Sequence, residues 1–590
     1  MGRDQKASSQ PIRRRRRKNR YLGSIIVFLL VFFIVAGCSG YVAWYLFMPN
    51  GEMEDYHAYY NLPPDEISVV LRDVRLDLAA APVENNGSVC FPLDFVKEYI
   101  DPYIYWDKNA LKLTVTTPDK VIRMIPGQPD YTENGGPVSA GAPVYLLEEE
   151  PYMPSELLTR VYHVSLDYHA DNKIVVLNYL QDARDTCAVT LDGAPLRFLA
   201  DKKAPVMYKF SKGETAYTFA KDGEYTRVRA ENGLVGYVLA SQIQDAGALS
   251  GVPEAPPARY PAPPAINGKV NMIWDQVFSA GDNAATMKRT IEDGLDVISP
   301  TWFSFDLNLT GDIVSLADAD YVKWAHSHGC QVWALLSDFS SDTNAVLNQD
   351  ISHEILTDTD KRDHAISRIM ELIAKYNLDG VNIDFEYIQP ADAGAYLEFF
   401  RELRPHMKAA GTVLSVDMYS PDETYWSKYY NRTDVGQCVD YMCVMAYDQN
   451  KSDAAGPDAS MPYVRNGVEL TLEEAPKEKI LMGLPYFVRV WRKETADGKV
   501  KNASQAYDLD AAYKFFKDNK AQISWDDVFG AYYATFTGGG GVVYEAWLEE
   551  KRSIEEKLKY MRSMDLAGVA GWKWGLENRD VWDLLRQYVN

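Results

Sequence analysis

Hydrophobic and polar positions divide the chain into three regimes. From Tyr21 to Phe47 apolar residues run on without a charge. As a helix rising ~1.5 Å per residue, this run would be about 40 Å long, enough to cross a bilayer with some tilt. Between residues 66 and 245, short β-branched and aromatic runs alternate with turn residues such as Lys212-Gly213-Glu214 and Asn232-Gly233, the pattern of small β-rich modules. From Ile266 to Asn590, strand-like runs alternate with helical periodicity. The candidate strands are Val270 to Trp274, Val297 to Phe305, Gln331 to Leu336, Val381 to Tyr387, Val413 to Met418, Tyr441 to Tyr447, Ile480 to Leu484 and Val569 to Trp572. This alternation predicts a (β/α)₈ barrel, with its active site at the C-terminal ends of the strands. The stretch from Asp245 to Pro264 is rich in Pro and Ala and lacks periodicity, so a semi-rigid linker is expected over 246–265.

Charge sharpens the first regime. The net charge is −22, yet residues 1–20 carry nine Lys and Arg against one Asp. The tail is therefore about +8 and the rest about −30. That acidic bulk argues against nucleic acid as a partner. The basic cluster Arg13 to Arg17, Lys18 and Arg20 before the apolar run predicts a cytoplasmic tail at 1–20 and a single-pass anchor at 21–47. The remainder would then lie outside the cell membrane, on the side of a bacterial cell wall. Val35-Ala36-Gly37-Cys38 resembles a lipobox, so a lipid-anchored alternative stands beside the uncleaved span. The six cysteines show no metal-type spacing. Neither a metal nor a cofactor is expected.

Residues 66–180 contain an internal repeat. Phe91-Pro92 precedes Trp106 by the interval at which Met153-Pro154 precedes Tyr168, and each aromatic is followed by a charged turn and a β-branched run. The segment resembles the bacterial stalk-type domain named after the N-terminal domain of copper amine oxidases, a name that implies no copper here. Residues 184–245 resemble a bacterial Src-homology-3-like barrel.

The densest chemistry lies in Asp379-Gly380-Val381-Asn382-Ile383-Asp384-Phe385-Glu386. Side chains alternate along a strand, so Asn382, Asp384 and Glu386 share one face and Val381, Ile383 and Phe385 the other. An amphipathic helix with Ile366, Ile369, Met370 and Ile373 precedes it. Strands of parallel sheets are buried on both faces, where acids need a purpose. Crowded carboxyl groups raise one another's proton affinity, and a carboxyl kept protonated near neutral pH is what a general acid requires.

Three motifs in order resemble glycoside hydrolase family 18: Asp379, Asn382, Asp384 and Glu386 on the fourth strand, Met445-Ala446-Tyr447-Asp448 on the sixth, and Trp572 within Gly568 to Glu577 on the eighth. The resemblance covers 266–590 and implies retaining hydrolysis in which the substrate's own N-acetyl group replaces an enzyme nucleophile. It implies that Glu386 protonates the glycosidic oxygen, Asp384 holds the acetamido nitrogen and Tyr447 bonds its carbonyl oxygen. Asn382, Met445 and Asp448 would support the bound sugar, and Trp572 would floor the ring being cleaved. Trp302, Trp491 and Trp547 are further candidate sugar platforms.

Asn382 stands where many chitinases have aspartate, Phe385 where tryptophan is frequent, and Trp333 to Asp338 lacks the Ser-x-Gly-Gly commonly seen. These departures are more similar to the cell-wall and spore-associated branch. The expected protein is a membrane-anchored hydrolase of β-1,4-linked N-acetylglucosamine glycans, peptidoglycan or chitin-like. The alternative is a non-catalytic, lectin-like protein on the same barrel. A fragment starting at Ile266 is expected to fold and to cut short oligosaccharides.

Overall fold

The computed structural model describes residues 19–139, 141–254, 262–339, 345–421, 427, 429–451, 454–496 and 499–589. The basic run up to Lys18 and the linker positions 255–261 lie outside the described residues. Asn19–Phe47 is one helix, and its Gly23–Phe47 portion is long and apolar enough to cross a membrane, a property shared with signal sequences. Its apolar side chains are exposed all round, unlike those of a helix that seats one stripe in a protein core.

The remaining chain forms two compact units. One holds the described residues up to Phe91 together with Ser155–Glu254, and the other holds Pro92–Pro154 with the described residues after Ala255. In the first, Ser68–Leu71 pairs in parallel with Ile174–Tyr179, and a seven-stranded antiparallel sheet is built from residues 184–249. Val70, Ile174 and Val176 share one apolar cluster with Cys187, Val189, Leu196 and Val228 of that sheet. Both copies of the repeat run strand, helix, strand, strand: Ser88–Pro92, Leu93–Tyr99, Tyr105–Asp107 and Lys112–Thr116, then Glu150–Pro154, Ser155–Val161, Val164–His169 and Ile174–Tyr179.

The second unit contains a closed parallel barrel. Its strands are β1 (Val270–Asp275), β2 (Val297–Pro300), β3 (Gln331–Ser337), β4 (Gly380–Asp384), β5 (Val413–Tyr419), β6 (Tyr441–Met445), β7 (Ile480–Pro485) and β8 (Gly568–Trp572). Each pairs with the next, and β8 closes on β1 through Val270↔Gly568. The expected run Val297 to Phe305 divides after Pro300; Phe303–Phe305 forms a hairpin with Ile313–Ser315 and lies beside β3. Between β7 and β8 a five-stranded antiparallel sheet is inserted, covered by the helix Leu509–Asp518.

Local chemistry explains how β4 is delivered. The helix α1 (Thr359–Tyr376) starts where Asp358 caps the amides of Asp360 and Lys361, buries Ile366, Ile369, Leu372 and Ile373, and stops at Asn377 in the left-handed region. A Cβ at Gly380 would stand 2.6 Å from the Val413 carbonyl oxygen, so only glycine lets β4 and β5 approach here. After β4 comes the helix α2 (Ala393–Ala410).

A five-stranded antiparallel meander over residues 105–139 belongs to the same unit and docks on these helices. The guanidinium of Arg362 on α1 forks onto Glu402 of α2 at 2.9 and 3.1 Å, and the meander's Arg123 reaches the same carboxylate at 3.0 Å and Asp363 at 2.6 Å. Thr116 donates to Glu398 at 2.8 Å, the Thr359 amide donates to Asp107 at 2.8 Å, and Tyr103 donates to Asp434 at 2.6 Å. Burial pushes Glu398 up to about 8, and the neighbouring charge of Glu402 adds to this. Burial also works against the ionised form of Glu402, but Arg362 and Arg123 hold it below the usual range.

Candidate active site

The acidic face expected on the fourth strand is split by depth. Asn382 lies fully buried inside the barrel, Asp384 ends β4, and Glu386 follows on the loop. Asp379 sits at the opposite end of β4, where it accepts from the Val332 amide at 2.8 Å and meets the His326 ring at 2.7 Å. It is a structural anchor, not part of the acidic cluster. Asp338, just past β3, accepts from the amides of Glu386 at 2.9 Å and Tyr387 at 2.8 Å and from the Ser352 hydroxyl at 3.0 Å. That clamp fixes the loop carrying Glu386.

A cavity of about 120 Å³ opens at the C-terminal ends of the strands. Asp384, Glu386, Tyr447, Asp448, Met445 and Trp572, all singled out by sequence, line it together. Trp274, Asp417, Tyr419 and Lys451 line it as well and were missed. Asp417 and Tyr419 could have been found: Ser415, Asp417 and Tyr419 alternate on β5 as the acidic triplet does after Gly380. Trp302 and Trp491 are corrected. Trp302 is 1% exposed, its indole N–H donating to Asn283 at 2.8 Å and its ring packed on Tyr321. Trp491 is fully buried and donates to the Gly456 carbonyl at 2.9 Å. Neither presents a face to a sugar. Trp547 packs half-buried against Tyr533 in the inserted sheet, 5.1 Å between rings.

The floor of the cavity is a hydrogen-bonded acid. Asp417 Oδ2 accepts from Asn382 at 2.7 Å and from the Trp274 indole at 3.1 Å, while Ser415 holds the Asn382 carbonyl at 2.6 Å. Where Asn382 replaces an acid, it donates to a carboxylate on the adjacent strand. Burial pushes Asp417 up to about 8 and Asp338 up to about 7. Asp384 rises well above the carboxylate range through burial and the charges of Glu386, Asp417 and Asp338, and its Oδ1 is buried without a hydrogen-bond partner among the described residues. That oxygen is free to accept from a ligand N–H. Glu386 is also raised by burial, against the opposing pull of the Tyr419 hydroxyl that donates to it and of the Lys451 ammonium. The Tyr447 phenol is pushed well up by burial, so its hydroxyl stays protonated as a donor.

Aromatic rings and one ion-pair chain shape the walls. Trp572 packs edge-on against Trp274 at 5.9 Å, and the peptide bond from Trp572 to Lys573 is cis. Asp448 adopts φ 61° and accepts from Arg489 at 2.6 Å, and Arg489 in turn meets Asp458 at 3.2 Å. The arrangement offers carboxyl groups held toward their protonated forms, a carboxyl oxygen open to a ligand, a phenolic donor and an indole wall, all within one small cavity.

Residues 348–577 match the model of glycosyl hydrolases family 18, and residues 70–177 match the copper amine oxidase N-terminal domain. The chain therefore carries a family 18 glycosyl hydrolase domain, a domain of the glycosidase class, preceded by a stalk-type domain. A Bacillus subtilis protein carrying the provisional name sporulation-specific glycosylase YdhD is 26% identical over 46% of this chain, which spans 64% of that relative's length. The cortical fragment-lytic enzyme of the same organism is 26% identical over 49% of this chain and 67% of its own. The spore cortex-lytic enzyme SleL of Bacillus cereus shares the fold, with a TM-score of 0.50 at 18% identity over 65% of this chain and 90% of that one.

Proposed function

We propose that the protein is a membrane-anchored glycosidase cleaving β-1,4-linked N-acetylglucosamine glycans, with bacterial peptidoglycan as its polymer. The observation that carries this reading is the convergence of Asp384, Glu386, Tyr447 and Trp572 on one cavity at the C-terminal ends of the barrel strands. The relatives named for cortical fragments support a wall polymer over chitin.

In the proposed reaction the pyranose rests on Trp572, and the unpartnered Oδ1 of Asp384 accepts the acetamido N–H. The acetamido oxygen, steadied by the Tyr447 hydroxyl, attacks the anomeric carbon as the glycosidic bond breaks. Glu386 gives its proton to the leaving oxygen and afterwards takes one from the water that opens the cyclic intermediate, so configuration is retained. Asp448, Met445 and Asn382 support the sugar, Asn382 through Asp417. The apolar helix holds the enzyme at the outer face, and the modules at 66–180 and 184–245 set its reach into the wall.

The test is digestion of purified peptidoglycan and of chitin oligomers by the protein, with mass spectrometry of the new reducing ends. N-acetylglucosamine ends from peptidoglycan are expected. Muramic acid ends, or cleavage of chitin alone, would overturn the proposed bond.

A further inference from the structure

Away from the barrel, the unit that contains Ser155–Glu254 has a cavity of about 350 Å³ lined by its own residues. That is the size of a small-molecule site. In a strongly acidic chain it is notable for three arginines, Arg72, Arg184 and Arg229, of which Arg184 lies against the Tyr217 ring and Arg229 against those of Tyr217 and Phe219.

Arg229 is the telling group. It is 2% exposed and, among the described residues, has no carboxylate at salt-bridge distance. Its guanidinium donates to the Arg72 carbonyl and, at 2.9 Å, to the Asn178 side-chain oxygen, both neutral acceptors. Negative charge reaches it indirectly, from Asp73 and from Asp167, to which the Asn178 amide donates at 3.2 Å. A buried cation without an anionic partner is costly, and its neighbours do not repay that cost. The centre of the Tyr217 ring lies 4.8 Å from the Arg229 guanidinium and 5.4 Å from that of Arg184, so both cations share one aromatic neighbour. Arg184 also keeps its Nε buried with no hydrogen-bond partner among the described residues. Arg72 is already paired, to Asp182 at 2.6 Å.

We propose that this cavity binds a small carboxylate-bearing ligand, held by Arg184 and Arg229 beside the Tyr217 ring. A planar guanidinium pair matches a carboxylate's two oxygens, and the Tyr217 and Phe219 rings suit an apolar body behind it. The carboxylates of Asp182 and Asp185 at the same cavity disfavour a phosphate dianion more than a single negative charge. The site would keep its chemistry whatever polymer the barrel cleaves.

The test uses the full chain in detergent micelles and calorimetry with three probes: N-acetyl-alanyl-alanine as the free acid, the same dipeptide as its C-terminal amide, and inorganic phosphate. Saturable binding of the free acid is expected, with the amide weaker by about ten-fold or more. Arg229→Met risks unfolding, so the decisive variant is Arg184→Gln, which should weaken the free acid about ten-fold while hydrolysis of chitin oligomers is unchanged. Absence of saturable binding, an amide as tight as the acid, phosphate as tight as the acid, or an Arg184→Gln variant that binds like the parent would each overturn the proposal.

Discussion

At the scale of single residues, the cavity gives its carboxyl groups unequal work, and substitution should separate them. Glu386→Gln keeps the shape but has no proton to give, so turnover should fall by roughly 10²-fold or more while oligosaccharide binding survives. Steady-state kinetics beside a binding titration would show the split. Tyr419 tests the tuning of that acid. Its hydroxyl donates to Glu386 and favours the ionised carboxylate, so Tyr419→Phe should raise the pKa of Glu386. Since the proposed acid works in its protonated form, the alkaline limb of the pH–rate profile should move to higher pH; an unmoved or lowered limb would break the link. The alternation around Asn382, Asp384 and Glu386 was legible because burying three polar side chains on one face of an apolar strand is costly unless they have a chemical task. Asp417 and Tyr419 were passed over although they alternate on β5, since one acid and one phenol give a weaker signal than the acidic triplet, and their place beside Glu386 emerges only when the barrel forms. Trp302 shows the converse: a tryptophan near a strand end looks like a sugar platform until Asn283 is found holding its indole nitrogen from within the core.

At the scale of elements, all eight barrel strands were readable, because strands covered on both faces become unbroken β-branched and apolar runs between amphipathic helices. The docking of the 105–139 meander on α1 and α2 was not, because Arg123, Glu398 and Glu402 look like ordinary surface charges in sequence and become a buried network only after folding. This changes the expectation for a fragment starting at Ile266. Such a fragment strips Arg123 and Thr116 from Glu402 and Glu398 and uncovers the faces they packed on. It should melt several degrees below residues 49–590 or aggregate, as differential scanning fluorimetry would report. The same network makes a pH prediction. Glu398 holds its proton in the folded state up to about 8, against an ordinary value of 4.5. Between those values the folded state binds a proton that the unfolded chain has lost, so this contribution to stability is full below 4.5 and declines as pH rises to about 8. Glu398→Gln cannot titrate, and its melting temperature should fall less from pH 5 to pH 8 than that of the parent. Equal slopes would show that Glu398 is not the group responsible.

At the scale of the whole molecule, the order of modules along the chain and the grouping of the folded chain differ. The repeat was visible as two copies side by side in sequence, yet residues 92–154 group with the barrel while Ser155–Glu254 groups with the chain before Phe91. The cuts after Phe91 and Pro154 carry no composition change, whereas the one after Glu254 falls inside the Pro- and Ala-rich stretch read from sequence as a linker. The N-terminal helix is the opposite case, fully legible from hydropathy, but its fate is open to two readings that predict different things. An uncleaved span keeps Gly23–Phe47 in the bilayer and needs nothing from Cys38, whose side chain is exposed on the helix. A lipid-anchored form would be cut before Cys38 and would depend on that thiol. The helix continues for nine residues past Cys38, through Tyr41, Val42, Trp44 and Leu46, and such apolar length beyond a cleavage point serves a span better than a processed leader. Expressed in a bacterium, the full chain should therefore stay in the membrane pellet after a carbonate wash, and Cys38→Ser should leave both that behaviour and the mass of the mature protein unchanged. Residues 49–590, secreted behind a cleavable leader, should be soluble, cut short oligosaccharides at the parental rate, and lose activity mainly on intact wall, where tethering raises the local substrate concentration. A mature mass that begins at Cys38, or release of the Cys38→Ser variant from the pellet, would assign the anchor to lipid rather than to the helix.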